Sequence, residues 1–174
     1  AYWASMGFDD ISISVNISVK DFYYVDLYDC LVGLVEKYNI PPERLKLEIT
    51  ETVFMTEKER QLEIINSLKE YGFLIEIDDF GSGYSSLNML KEVPADILKM
   101  DMAFLSMDGN AKKGRKIVNT IITLAKALGM MVIIEGVETK EQVDYLSGTG
   151  ADYLQGYYFD KPLPVNRFEE IYLQ

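Results

Sequence analysis

The stretch Ile11-Ser12-Ile13-Ser14-Val15-Asn16-Ile17-Ser18 alternates apolar and polar side chains throughout. Successive side chains of a β-strand point to opposite faces, so this strand has one apolar face and one polar face. The apolar face suits cover by helices. Strands of an open doubly wound sheet are usually apolar on both faces. The polar face therefore favours a barrel whose interior is open to water at one end.

Five further apolar runs have the length of strands, and amphipathic helical patterns separate them. The six predicted strands are residues 11–18, 45–50, 73–79, 97–101, 130–136 and 152–156. This alternation predicts an α/β protein with a parallel sheet, either an open doubly wound sheet or part of a (β/α)8 barrel. A complete barrel needs at least about 200 residues. We therefore expect a modified (β/α)8, TIM-type barrel that is incomplete here, with about six βα units and its first strands missing.

Two predicted helices begin with a capping-box pattern. Thr56 is followed by Glu59, and Thr139 is followed by Gln142, in each case three residues later. In a capping box the threonine hydroxyl accepts a hydrogen bond from the third helical amide, and the Glu or Gln side chain reaches back. Both threonines are therefore predicted to be N-caps.

Composition excludes several kinds of site. The 174 residues include no histidine, which removes Ser–His and Cys–His catalysis and disfavours zinc. The single cysteine, Cys30, is predicted to be a small core residue in a reducing compartment. The net charge of -11 makes duplex nucleic acid a poor partner, and a phosphate ligand would need bound cations. No apolar run has the length of a membrane helix, so we expect a cytoplasmic domain without membrane contact, whether or not its parent protein is membrane-anchored.

Every predicted strand supplies a polar residue near its carboxyl end. These residues are Asn16, Glu48, Asp78, Lys99, Glu135 and Gln155. Sites in parallel α/β proteins form at that edge of the sheet. Oxygen ligands of this kind suit Mg²⁺ or Mn²⁺, and paired aspartates can bridge two such ions during displacement at phosphorus.

The pair Asp78-Asp79 precedes two glycines, Gly81 and Gly83. Asp78 shares a face with the other site candidates, whereas Asp79 would face away if the strand continued. We therefore expect the strand to stop at Asp79 and the glycines to permit a sharp turn.

Lys99 has three interpretations. It could form a Schiff base, as in aldolase-type barrels. It could pair with the carboxylates and orient an attacking water, or it could merely balance buried acids. The surrounding acids should raise its pKa and keep it charged, which weakens the Schiff-base interpretation.

The chain resembles the EAL domain family of bacterial cyclic-di-GMP phosphodiesterases. The segments that carry the resemblance are Ser14-Val-Asn-Ile-Ser18, Leu47-Glu-Ile-Thr-Glu51, Asp78-Asp-Phe-Gly-Ser-Gly-Tyr-Ser-Ser-Leu87, Leu98-Lys-Met-Asp101, Glu135-Gly-Val-Glu-Thr139 and Gln155-Gly-Tyr, with Lys161-Pro-Leu-Pro164 beyond. The resemblance implies a hydrolase that opens cyclic-di-GMP to linear pGpG with two divalent cations, Mg²⁺ or Mn²⁺.

The resemblance also implies roles for individual residues. Asn16, Glu48 and Asp78 match ligands of the first metal, and Asp79 matches a ligand of the second. Lys99 and Glu135 match the catalytic residues that hold and activate water, with Glu135 as general base. The remaining matches line the site or support it: Gln155, Gly81, Ser82 and Gly83 near substrate, and Glu51 as the anchor of the glycine-containing loop.

One departure from the family pattern concerns the Glu-Ala-Leu signature, which would precede Ala1 and carry a further metal ligand. We therefore expect residues 1–174 to be an N-terminally truncated EAL-type domain with impaired activity. The alternatives are a catalytically inactive cyclic-di-GMP receptor and a regulatory or dimerisation module. The family also implies a homodimer and, in the parent chain, a diguanylate cyclase-like or sensory domain. A second departure is Glu76, an extra carboxylate on the face of Asp78 that needs a cationic partner.

Overall fold

A computed structural model describes residues 1–8, 10–81, 86–102 and 111–173 of the chain. Its centre is a parallel sheet of six strands in the order β1-β2-β3-β4-β5-β6. The strands are β1 Ile13–Ile17, β2 Leu45–Ile49, β3 Leu74–Phe80, β4 Ile97–Asp101, β5 Met131–Glu135 and β6 Tyr153–Leu154. The helices are α1 Tyr2–Ser5, α2 Asp21–Tyr24, α3 Leu27–Tyr38, α4 Lys58–Tyr71, α5 Ser86–Glu92, α6 Ala111–Ala127, α7 Lys140–Leu146 and α8 Val165–Tyr172, with 3₁₀ turns at Pro42–Arg44 and Glu51–Met55. The predicted α/β class with a parallel sheet is confirmed.

The sheet has one face covered by helices. Pairs such as Leu47 with Ile75, and Leu98 with Val132, continue this apolar face from strand to strand. These side chains are buried with residues of the long helices, among them Leu31, Ile65 and Ile122. Burial of this continuous apolar surface is the main force that holds the helices against the sheet.

The opposite face, which we call the polar face, carries Asn16, Glu48, Glu76, Lys99 and Glu135. Among the described residues the outer strands β1 and β6 each pair on one side only, so the sheet does not close on itself. Ile13 of β1, predicted to lie on the covered face, is 49% exposed because it is at this open edge.

Three local predictions were wrong. β3 does not stop at Asp79 but continues to Phe80. Thr56 does not cap α4, whose N-cap is Glu57, and the Thr56 hydroxyl is instead hydrogen-bonded to that of Tyr23 at 3.2 Å. Cys30 is exposed on α3 and is not a core residue.

Two other local features bear on the fold. Thr139 forms the predicted capping box with Gln142 at the start of α7. In the part of the chain that the structure describes, no helix is both long and apolar enough to cross a membrane.

Candidate active site

Lys99 lies at the centre of the polar face and contacts three carboxylates. Its Nζ is 2.6 Å from Glu48 Oε1, 3.0 Å from Glu135 Oε1 and 3.3 Å from Asp78 Oδ1. The three acids come from β2, β5 and β3, so the cluster joins four strands of the sheet. Lys99 itself is buried, at 6% exposure. The Lys99 ammonium therefore has three carboxylates within hydrogen-bonding distance.

A β-bulge in β3 changes the direction of the paired aspartates. Ile77 pairs with Leu98 and Phe80 pairs with Met100, so Asp78 and Asp79 together oppose the single residue Lys99. Asp79 has a φ of 53°, the left-handed conformation, and its amide donates to the Asp78 carboxylate at 2.9 Å. A bulge with one left-handed residue breaks the alternation of side chains. Because of this bulge, and not because the strand ends, the Asp78 and Asp79 side chains do not follow the regular alternation between the two faces of the sheet.

Three further residues lie along the same edge. Asn16 is the register partner of Glu48 on the neighbouring strand. The Gln155 backbone is hydrogen-bonded to Ile134 and Val137 at the end of β5, and the residue borders a groove together with Lys46 and Tyr153. Asp101, which was not among the predicted site residues, pairs in register with Glu135.

Asp101 could have been found from the sequence. It lies two residues after Lys99, so alternation places both on one face of β4. Gly136, with a φ of 71°, follows Glu135, and a Cβ on it would lie 3.3 Å from Asp101 Oδ1. The glycine therefore leaves room for the Asp101 carboxylate beside the site.

The charge state of Lys99 follows from its contacts. Burial alone lowers its pKa, but hydrogen bonds to Glu48 and Glu135 and the nearby negative charges more than offset this, so the pKa lies well above its ordinary value. A lysine held in the charged form is a poor Schiff-base nucleophile. The contacts thus favour its role as an ion-pair partner.

Two acids, Glu135 in the cluster and Asp79 beside it, have raised pKa values. Burial raises the pKa of Glu135, and the Lys99 hydrogen bond and charge only partly oppose the shift. Burial and the charges of Asp78 and Asp101 raise the pKa of Asp79. A carboxylate with a raised pKa accepts a proton more readily, which is the property a general base needs.

The residues present fit a divalent cation by donor chemistry. Asn16, Glu48, Asp78 and Asp79 would each coordinate through an oxygen atom, the ligand that Mg²⁺ and Mn²⁺ prefer. Among the described residues, however, no three acidic side chains converge in the arrangement of a metal site. The reason is local, because Glu48, Asp78 and Glu135 turn their oxygens towards the Lys99 ammonium.

The loop that follows β3 was predicted to line the site. Gly81, its first glycine, has a φ of 101°, whereas Ser82 and Gly83 lie outside the described residues. Glu51, the predicted loop anchor, borders a small cavity together with Asn88 and Met89 of α5, the helix that follows this loop. The anchoring role of Glu51 stays a prediction.

The chain is similar to several known proteins. It is 37% identical over 172 residues to the signalling protein YkoW of Bacillus subtilis, covering 99% of this chain and 21% of that protein. The solved phosphodiesterase MucR of Pseudomonas aeruginosa, in complex with c-di-GMP, is 35% identical with a TM-score of 0.85, covering 96% of this chain and 68% of that one. A Klebsiella pneumoniae BlrP1 complex with manganese and c-di-GMP is 26% identical with a TM-score of 0.82, covering 92% and 41%.

The chain spans about a fifth of the length of YkoW, so the relative's other parts have no counterpart in it. The EAL domain family model matches residues 1–162. This match covers all six strands and every residue of the polar-face cluster around Lys99. The chain belongs to the EAL domain family.

Proposed function

We propose that this domain hydrolyses one phosphodiester bond of cyclic-di-GMP, with water, to give linear pGpG. The observation that carries the proposal is the contact of Lys99 with Glu48, Asp78 and Glu135 at the carboxyl ends of neighbouring strands. Relatives described as c-di-GMP phosphodiesterases, MucR among them, support this choice of substrate.

Two divalent cations, Mg²⁺ or Mn²⁺, would supply Lewis-acid stabilisation of the phosphate and activation of the attacking water. Asn16, Glu48 and Asp78 would hold one cation, and Asp79 would hold the other. The overall charge of -11 repels an anionic dinucleotide, so the cations would also supply the attraction that the chain lacks. The manganese complex of BlrP1 supports this cofactor class.

The side chains of the cluster have separate roles in orienting the reacting groups and in proton transfer. Lys99, held charged, orients Glu48 and Glu135 and offers its N–H groups to the nucleophile or the phosphate. Glu135, with its raised pKa, accepts a proton from the water at a carboxylate oxygen. Gln155 and the loop from Gly81 would border the bound dinucleotide.

The test is product formation. The chain, and any longer natural protein that contains it, is incubated with cyclic-di-GMP and Mn²⁺ or Mg²⁺, and pGpG is separated by chromatography. We expect Asp78→Ala and Lys99→Ala to abolish turnover, and Glu135→Gln to lower it by about 10²–10⁴-fold. Lys126→Met, which removes an exposed ion pair with Asp152, is the control and should leave turnover unchanged.

Other outcomes would point elsewhere. Binding of cyclic-di-GMP without pGpG, in protein that has bound the cation, would contradict hydrolysis and favour a receptor. Absence of binding in both the chain and the longer protein would favour a regulatory or dimerisation module.

A further inference from the structure

Glu76 is a buried carboxylate of the polar face, level with Glu48 and two residues before Asp78 on β3. It has 0% exposure, and neither of its oxygens has a partner at good hydrogen-bonding geometry, although the Ser14 side chain on β1 lies close enough for a weaker polar contact. The nearest countercharge is Lys46, whose Nζ lies 3.6 Å from Glu76 Oε1. Lys46 is the cationic partner that the sequence alone could not identify. The distance makes the contact an ion pair without a hydrogen bond.

Both members of this pair adjoin Glu48. Glu48 and Glu76 are register partners on β2 and β3, and neighbouring strands lie only about 4.8 Å apart. Lys46 precedes Glu48 by two residues, so alternation places both on the same face of β2. Glu48 therefore has the carboxyl group of Glu76 beside it on β3 and the ammonium group of Lys46 two residues earlier on β2.

Two lysines lie within reach of Glu48. The Lys99 ammonium donates a hydrogen bond to Glu48 Oε1 at 2.6 Å, at the carboxyl edge of the sheet. Lys46 would otherwise compete with Lys99 for the same carboxylate, but Glu76 holds it. Apolar side chains of similar volume are often as stabilising as a buried ion pair, or more so. The presence of the Lys46–Glu76 pair therefore favours a role in orienting a neighbouring side chain.

We propose that Glu76 is a positioning residue that holds Lys46 away from Glu48, and so keeps the Glu48 carboxylate turned towards Lys99 and the catalytic edge. The proposal deepens the proposed function, since Glu48 is one of the candidate metal ligands, and so rests on it in part. The geometric claim, that the pair controls the Glu48–Lys99 contact, can be tested without any turnover.

The first measurement is the ¹⁵N NMR signal of the Lys99 ammonium. In Glu76→Ala, Lys46 is released to approach Glu48, so the Lys99 signal should move or broaden as its 2.6 Å contact weakens. In the double variant Lys46→Met with Glu76→Ala, the competing lysine is gone, and the signal should return towards that of the parent. Lys126→Met, at an exposed ion pair with Asp152 that does not include any residue of the cluster, should leave it unchanged.

The second measurement is Mn²⁺ binding by calorimetry, well below the unfolding temperature of each variant. We expect Glu76→Ala to weaken Mn²⁺ binding by about tenfold and the double variant to recover to within about threefold of the parent. Recovery upon removal of a second charge is not the behaviour of a pair that only stabilises the fold.

Two results would overturn the proposal. One is a Lys99 signal that is the same in Glu76→Ala as in the parent. The other is a double variant whose Lys99 signal is displaced as far as that of Glu76→Ala. An altered Lys99 signal in a protein that forms no pGpG would instead uphold the positioning role and contradict the hydrolytic function.

Discussion

Lys99 is the residue on which the charge balance of the polar face depends. Its contacts with Glu48, Asp78 and Glu135 place one positive charge among three buried or half-buried acids. Loss of one partner from a buried ion pair is strongly destabilising because it leaves charge without compensation. The residue proposed for catalysis is therefore also a stabilising residue.

Lys99→Met tests this dual role. We expect the free energy of unfolding at neutral pH to fall by about 3–5 kcal/mol, measured by urea denaturation, because the three acids lose their common partner. Lys126→Met, at the exposed pair with Asp152, should cost at most about 1 kcal/mol.

The pH dependence of this difference has a definite sign. The folded pKa of Lys99 is raised above its ordinary 10.5, so the stabilisation is fully present below pH 10.5 and is lost as pH rises through the folded value. The stability difference between parent and variant should therefore not shrink as pH rises from 7 to 9. A difference that shrank over that range would contradict a charged, carboxylate-bound Lys99.

Alternation along each strand was enough to predict which residues share the polar face. It was not enough for Asp79, whose left-handed backbone breaks the alternation, or for the partner of Glu76. Lys46 is 30 residues away from Glu76 in the chain, and only the pairing of β2 with β3 brings them together.

Among the elements, β3 departs most from a regular strand. Its bulge at Asp78 and Asp79 provides two acids where a regular strand would provide one. The arrangement has a local cost, since a left-handed conformation costs a residue with a Cβ roughly 1–2 kcal/mol.

Comparison of Asp79→Gly with Asp79→Ala tests the bulge. Both variants lose the carboxylate, but only glycine relieves the left-handed strain. We expect Asp79→Gly to be more stable than Asp79→Ala by about 1 kcal/mol in urea denaturation, with both losing Mn²⁺ affinity to the same extent. Equal stabilities would contradict the positive φ at this position.

The connection after β6 depends on a glycine for a different reason. A Cβ at Gly156 would lie 2.2 Å from the Val137 carbonyl oxygen. We expect Gly156→Ala to destabilise the fold by about 1–3 kcal/mol, by forcing apart the backbone that holds Gln155. Gly33 in α3 has nothing within 4 Å of the same position, so Gly33→Ala should stabilise the fold by about 0.5–1 kcal/mol. Thermal denaturation of both variants measures the contrast, and shifts of the same sign would contradict it.

Capping patterns show how far local sequence predicts an element. The Thr139 box formed as predicted because its partner Gln142 lies within the same turn. The Thr56 box did not form, since Tyr23, from a distant part of the chain, engages the hydroxyl of Thr56.

For the whole molecule, the charge of -11 makes cation binding and stability interdependent. A cation that binds only the folded state stabilises it by about 2.7 kcal/mol at 100 times its dissociation constant. We expect Mn²⁺ to raise the melting temperature of the chain, and EDTA to reverse the effect. The double variant Asp78→Ala with Asp79→Ala should lose most of this shift. An equal shift in that variant would mean that Mn²⁺ acts by general screening of the surface charge.

The sequence by itself determined the alternation of strands and helices, the polar face of β1, and the kinds of side chain at the strand ends. These features are periodic along the chain, and periodicity follows from backbone geometry alone. Only the tertiary structure decided the distances around Lys99, the bulge at Asp79 and the pairing of Lys46 with Glu76. These depend on the register between strands, which is set by the burial of the whole helix-covered face and not by any single segment.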